Sequence, residues 1–134
     1  MEHNIRLMIR ITGENLNHED ITSLLNICPT KVWHKGDLVT NRTGHRNKED
    51  GWELRVDKVG DSFDELLNII IKQLEPVADK VKEIAQQFFI ELQCVVFLYD
   101  DCENSIPSVH MENWQLKFLS EIGAEIDIDI IWSA

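Results

Sequence analysis

Apolar and polar residues alternate strictly near both ends of the chain. In residues 5–11 every odd position is a large aliphatic residue, and in residues 125–130 every even position is isoleucine while the odd positions are acidic. A period of two with one apolar face is typical of a half-buried, antiparallel strand. The outward charges of the two segments are opposite in sign: Arg6 and Arg10 against Asp127 and Asp129. We therefore expect these strands to be neighbours, with the charges paired across the open face and the isoleucines under the helices.

Three internal segments also have strand patterns. Residues 89–99 alternate along their length and are apolar on both sides in their second half, which leaves Phe97 and Tyr99 either covered or available for contact. Residues 52–56 alternate after an Asp-Gly pair, and the short segment 108–111 after a proline suggests an edge strand.

Helical signals separate these strands. Asn17 can cap a first helix, and residues 62–65 have the form of a capping box that opens a second. Apolar positions at alternating steps of four and three continue through Pro76, where we expect the helix to break into two pieces with a shared apolar side. The last helix begins near Glu112 and ends at Gly123, with Trp114, Phe118 or Leu119, and Ile122 as core contacts.

This order of elements predicts an α+β fold, a two-layer sandwich. The sheet is expected to be mostly antiparallel with helices on one face, as a variant of the ferredoxin-like fold with a helical insert. The length of 134 residues, with 43% hydrophobic residues, suits a single domain over residues 1–134 that carries a loop over residues 31–50.

Charge is distributed unevenly. Residues 31–48 contain five basic residues and one acid, Asp37, in a chain whose formal net charge is −11. The acidic balance disfavours binding to nucleic acid, and no apolar run is long enough to cross a membrane. Three cysteines without framework spacing, and a start that lacks the features of a secretory signal, favour reduced thiols and a cytoplasmic location.

A set of short motifs resembles a known family. Residues 24–30 read Leu-Leu-Asn-Ile-Cys-Pro-Thr, a Lys-Gly-Asp turn follows at residues 35–37, and Trp52 comes after the basic stretch. In this combination, and in its final aliphatic-acidic strand, the chain resembles the uncharacterised bacterial family named domain of unknown function 4279. The resemblance implies a shared fold over nearly the whole chain and supplies no activity.

Catalytic and metal-binding patterns are missing from the sequence. Cys28 follows a helix C-terminus, Cys94 points inward on a strand and Cys102 lies among acids, and each position disfavours a reactive thiolate. His34, Asp37, His45 and Asp50 do not have the spacing of a metal site, and the positive loop would repel a cation. We expect no catalytic residues, no metal and no cofactor.

Two binding surfaces remain as hypotheses. The first is an acidic face that would bind a basic protein, and it consists of Asp100, Asp101, Glu103, Asp127 and Asp129. The second is the basic loop, which would bind a phosphate, a nucleotide or another small anion, and it consists of Trp33, Lys35, Asp37, Arg42, Arg46 and Trp52. The alternatives without a binding role are an acidic surface that only confers solubility and a loop that is exposed to solvent and binds nothing.

From these surfaces the sequence favours a non-enzymatic binding protein. We predict an immunity or antitoxin-like factor that neutralises a basic bacterial toxin; the alternative is a small-anion binding protein or enzyme that uses loop residues 31–48. The protein would be a monomer, or a homodimer joined through the open sheet face near Phe97 and Tyr99.

Overall fold

A five-stranded sheet forms one layer of the molecule in a computed structural model that describes residues 3–39, 44–56, 62–100 and 105–133. The proposed site residues Arg42, Asp101 and Glu103, together with Cys102, lie outside the described residues. The strands are β1 (Asn4–Gly13), β2 (Lys31–Trp33), β3 (Asp50–Val56), β4 (Phe89–Tyr99) and β5 (Ala124–Ser133).

The strands are arranged in the order β2-β3-β1-β4-β5. All neighbouring pairs are antiparallel except β4 and β5, which run parallel. The predicted α+β class and the mostly antiparallel sheet are confirmed. The ferredoxin-like detail is not confirmed, and β2 is a short strand in a segment for which the sequence indicated only a loop.

The expected pairing of the first and last strands is wrong, because β4 lies between them. The reason is the composition of β4, where Val95 and Val96 point to opposite faces and are both buried. A strand that is apolar on both faces is stabilised by neighbours on both sides, so β4 takes an interior position and β5 the edge.

In the described ranges four helices pack on one face of the sheet: α1 (His18–Leu25), α2 (Phe63–Leu74), α3 (Ala78–Ala85) and α4 (Asn113–Glu121). Asn17 caps α1, and Ser62 with Glu65 forms the predicted capping box of α2. A single 3₁₀ turn at Glu75–Val77 contains Pro76 and separates α2 from α3, which confirms the predicted break. No helix in the described ranges has the length and apolar character needed to cross a membrane.

The core lies between these helices and the inward side chains of β1, β3 and β4. Two sequence-based predictions about its margin are wrong. Trp114 is exposed, and Gln115 is buried in its place, where its amide Nε2 donates to Asp64 Oδ1 and Asn68 Oδ1, each at 3.1 Å. Residues 108–111 are not a strand, although Val109 and Met111 pack partly against the core.

The isoleucines of β5 also depart from the prediction. They point to the helix side of the sheet, in register with buried residues of β4, but Ile126, Ile128 and Ile130 are all exposed. Because α4 is short and contributes Leu119 and Ile122 to the core, it does not cover the helix-side face of β5.

Candidate functional site

The face of the sheet that is opposite the helices carries two distinct charge regions. On the β1–β3 side, Glu53 is 3% exposed and accepts contacts from two guanidinium groups. Arg55 Nη2 lies 3.0 Å from Glu53 Oε2, and Arg10 Nε lies 3.4 Å from Glu53 Oε1. A buried carboxylate requires such partners, so the acid and the arginines of this region neutralise one another.

Trp33 covers this cluster from β2. Its ring centroid lies 4.8 Å from the Arg10 guanidinium and 5.8 Å from Lys31 Nζ, within the range of cation–π contacts. The ring also lies flat over Gly51, where a Cβ atom would come within 2.0 Å of it. Glycine at position 51 is therefore required for the close approach of the indole.

Gln93 connects the two charge regions. Arg10 Nη1 donates to Gln93 Oε1 at 3.1 Å, and Gln93 Nε2 donates to Asp129 Oδ2 at 3.0 Å. Between Arg10 and Asp129 the direct pairing expected from the sequence is thus replaced by a neutral amide on β4, because β1 and β5 are not adjacent.

The second region is acidic and lies along β4 and β5. Glu91 is opposite Glu125, and Asp127 and Asp129 follow on β5. Burial, and then repulsion from Asp127, raise the pKa of Glu91, while Arg10 opposes the rise. Within the described ranges no cation lies at ion-pair distance from Asp127 or Asp129, so their charge is not neutralised as it is on the β1–β3 side.

The helix side of β5 is apolar and exposed. Ile130 is 67% exposed and Trp132 is 60% exposed. A shallow hollow of about 660 Å³ adjoins the start of the strand and is lined by Leu116 and Leu119 of α4 and by Ile126. One edge strand therefore presents an acidic row on one side of the sheet and an apolar row on the other.

Of the predicted acidic face, Asp127 and Asp129 lie together on β5. Asp100 directly follows β4 and is exposed. Phe97 and Tyr99, the residues considered for a dimer, are only partly exposed, and the Arg6 guanidinium lies 5.1 Å from the Phe97 ring centroid.

The basic loop is largely a hairpin in its described part. Gly36 N donates to Asn47 O and Asn47 N donates to Asp37 O, both at 2.8 Å. Lys35 Nζ is paired with Glu14 at 2.9 Å, and Arg46 Nη1 donates to Gly36 O at 2.7 Å. Lys35 Nζ and the Gly36 amide thus already have partners within the fold, and an anion at this turn would have to compete with Glu14 and Asn47 for them.

Asp50 and Asp37 stabilise the base of this hairpin. Asp50 accepts from Lys35 N at 2.8 Å and from Leu16 N at 3.2 Å, and these backbone donors lower the pKa of Asp50 despite partial desolvation. Asp37 Oδ2 accepts from His34 N at 2.8 Å. From the sequence Asp50 is a potential metal ligand, and its position just before a strand is the available signal for a structural role.

The two tryptophans of the predicted anion site are not brought together. Trp52 is fully buried on the helix side, where its Nε1 donates to Thr22 Oγ1 at 3.1 Å, whereas Trp33 lies on the open face. A hollow of about 230 Å³ beside Trp33 is lined by Arg10, Lys31 and Asp37, and a second of about 250 Å³ is lined by Arg10, Trp33 and Lys48.

The cysteines and the potential metal ligands show no reactive arrangement in the described ranges. Cys94 is buried, and this burial raises the pKa of its thiol to about 11, while Cys28 is exposed. The described His, Cys, Asp and Glu residues include no group of three or more placed to hold a metal ion.

Comparison with known families identifies the chain. The profile of the family described as domain of unknown function DUF4279 matches residues 3–133. The chain belongs to this family. Neither a curated protein nor a solved structure matches it.

The residues that carry the family motif have structural roles in this member of domain of unknown function 4279. Thr30 N donates to Glu53 O at 2.8 Å, and Thr30 Oγ1 accepts from Arg55 N at 3.0 Å, which fixes β2 against β3. The Lys-Gly-Asp turn closes the hairpin, and Trp52 fills the core. In this chain the motif residues therefore stabilise the fold.

Proposed function

We propose that this protein binds a basic protein through the acidic row of β5, as an immunity or antitoxin-like factor does when it neutralises a cationic toxin. The observation that carries the proposal is the uneven neutralisation of charge on the open face. Glu53 has two arginine partners, whereas Asp127 and Asp129 have no cation at ion-pair distance in the described ranges.

Repulsion within the acidic row supports the proposal. Glu91, Glu125, Asp127 and Asp129 lie on two adjacent strands, and repulsion from Asp127 adds to burial, the larger cause, in raising the pKa of Glu91. A cationic partner would reduce this repulsion on binding. Clustered charge of one sign also accelerates association with a partner of the opposite sign.

The test uses the product of the neighbouring gene as the candidate partner and isothermal titration calorimetry as the measurement. We expect binding that weakens as salt is added, because screening reduces attraction between exposed charges. The double variant Asp127→Asn/Asp129→Asn should raise the Kd at least about tenfold. Asp79→Asn/Glu83→Gln removes the same charge from exposed positions of α3 and should leave the Kd unchanged.

An equal Kd for both double variants, or no interaction with the neighbouring product and no other basic protein retained at low salt, would contradict the proposal. Either result would favour an acidic surface that serves only solubility.

A second candidate function is small-anion binding in the hollow of about 230 Å³ beside Trp33. Lys31 and Arg10 supply positive charge there, although Arg10 is shared with Glu53 and Gln93. A thermal-shift panel of phosphate, nucleotides and phosphosugars tests it. A rise in melting temperature that is lost in Lys31→Gln would support this candidate. No rise with any of these ligands would contradict it.

A further inference from the structure

The outer side of β5 is open for backbone pairing. The strand runs over Ala124–Ser133, roughly 33 Å at about 3.3 Å per residue, and pairs with β4 on one side. No described strand pairs with its other side. An edge of this length leaves a row of backbone donors and acceptors that another extended segment can use.

The side chains of this edge specify what such a segment would look like. On the helix side they are apolar and exposed, at Ile126, Ile128, Ile130 and Trp132, and on the open side they are acidic, at Glu125, Asp127 and Asp129. In a paired strand, directly opposite residues share a face and their side chains touch. The complementary segment therefore alternates apolar residues with lysine or arginine.

A second copy of the chain does not fit this requirement. Consider antiparallel pairing of two β5 strands with their isoleucine sides together. In the two longest registers, either Asp127 faces Asp129 of the second copy or the two Asp129 residues face each other. Like charges directly opposite each other are destabilising, so the acidic row disfavours self-association and favours a basic partner.

We propose that β5 is a strand-addition site whose occupant is an extended, alternating basic and apolar segment of another protein. The segment would extend the sheet to six strands, with its cations against Asp127 and Asp129 and its apolar side chains against Ile128 and Ile130. The hollow of about 660 Å³ between α4 and β5 would take an apolar side chain at one end. This inference rests on the proposed function and specifies its mode of contact.

The experiment uses a fluorescein-labelled ten-residue peptide of alternating lysine and valine as the probe. We expect saturable binding by fluorescence anisotropy, with slowed amide exchange confined to β5 and its immediate neighbours. Two control peptides keep the composition: one has all lysines before all valines, and the other is N-methylated throughout. Both should bind at least about tenfold more weakly, because the first loses the alternation and the second loses its backbone donors.

Variants of the full chain test the two sides of the edge separately. Asp127→Asn/Asp129→Asn should weaken binding of the alternating peptide at least about tenfold and remove most of its salt dependence. Ile128→Lys should weaken it to a similar extent through the apolar side. Asp79→Asn/Glu83→Gln on α3 is the matched charge control and should leave the Kd unchanged. Since Ile128 is already exposed, its variant is expected to fold.

Three results would overturn the inference. They are equal affinity for the alternating and N-methylated peptides, no saturable binding of the alternating peptide up to about 1 mM, and a β5-mediated dimer seen by light scattering. These results differ from failure of the proposed function. A basic protein that binds without protecting β5 would refute strand addition alone, whereas peptide binding at β5 with no basic protein partner would refute the immunity role alone.

Discussion

The two edge strands of the sheet are built in opposite ways. At one edge, β2 is three residues long, and the chain that follows folds into a hairpin held by Asp50 and Asn47. Its tryptophan, Trp33, is 7% exposed and lies across the open face. At the other edge, β5 is ten residues long, and its tryptophan, Trp132, is mostly exposed.

This difference shows that an open edge is a property of β5 and not of both edges of the sheet. Short length and a neighbouring lysine are common ways to block an edge, and the β2 edge has both. At the longer edge no described strand pairs with the outer side of β5, and the open-face side chains there are acidic.

The largest expected difference in stability is between variants of the two edge tryptophans. Trp33→Ala should lower the free energy of unfolding by about 3 kcal/mol, because it removes a buried ring and uncovers Gly51 and Glu53. Trp132→Ala should change it by less than about 0.5 kcal/mol, since that ring is already in solvent. Denaturation in urea, followed by circular dichroism, measures both. Similar losses for the two variants would mean that the β5 edge is packed as tightly as the β2 edge.

The carboxylates of the open face give the next effect. Glu53→Gln should cost about 2 kcal/mol, because it leaves Arg10 and Arg55 side by side without the buried charge that neutralises them. Asp129→Asn should be neutral or slightly stabilising, because it reduces repulsion within the acidic row. Urea denaturation measures the free energy of unfolding of both variants. An equal loss for Asp129→Asn and Glu53→Gln would mean that Asp129 also has a cationic partner.

Most elements of the fold could be predicted because their signals are local. The period of two in residues 89–99, the capping residues Asn17 and Ser62 and the break at Pro76 depend on neighbours along the chain, and each is confirmed. Strand order depends on contacts between distant segments, and there the prediction failed. Opposite charges suggested that β1 and β5 are adjacent, but exposed charge pairs contribute too little to determine topology.

The candidate site was predictable only in part for the same reason. Asp127 and Asp129 are adjacent on one strand, so their grouping follows from the sequence alone. The buried cluster of Arg10, Glu53 and Trp33 joins three strands, so no short sequence motif predicts it. Burial of Gln115 in place of Trp114 is a shift of one position on a short helix, where the apolar stripe is too brief to define the inward face.

The hairpin that follows β2 should depend on Asp50. Asp50→Asn retains only one acceptor oxygen for two backbone donors, Lys35 N and Leu16 N, and should cost about 1 kcal/mol. The pKa of Asp50 is lowered from 3.8, so its contribution is present above that pH and is lost as the pH falls through the lower, folded value. Thermal melts between pH 2 and 7 should therefore show a smaller loss of stability on acidification for Asp50→Asn than for the parent chain. Equal pH slopes would contradict this role.

Glu91 should show the opposite and smallest effect, because it lies in the acidic row rather than at the hairpin. Its pKa is raised from 4.5, so the folded state holds the proton more tightly, and the associated stability is present below 4.5 and lost as the pH rises through the folded value. Relative to the parent chain, Glu91→Gln should therefore gain stability as the pH rises from 4 to 7. Asp50→Asn should instead lose stability relative to the parent as the pH rises through the acid range, where Asp50 of the parent ionises. Melting temperatures of both variants across that range measure the difference. If a basic strand occupies β5, its cations would stabilise ionised Glu91, and the advantage of Glu91→Gln should shrink when the alternating lysine-valine peptide is bound.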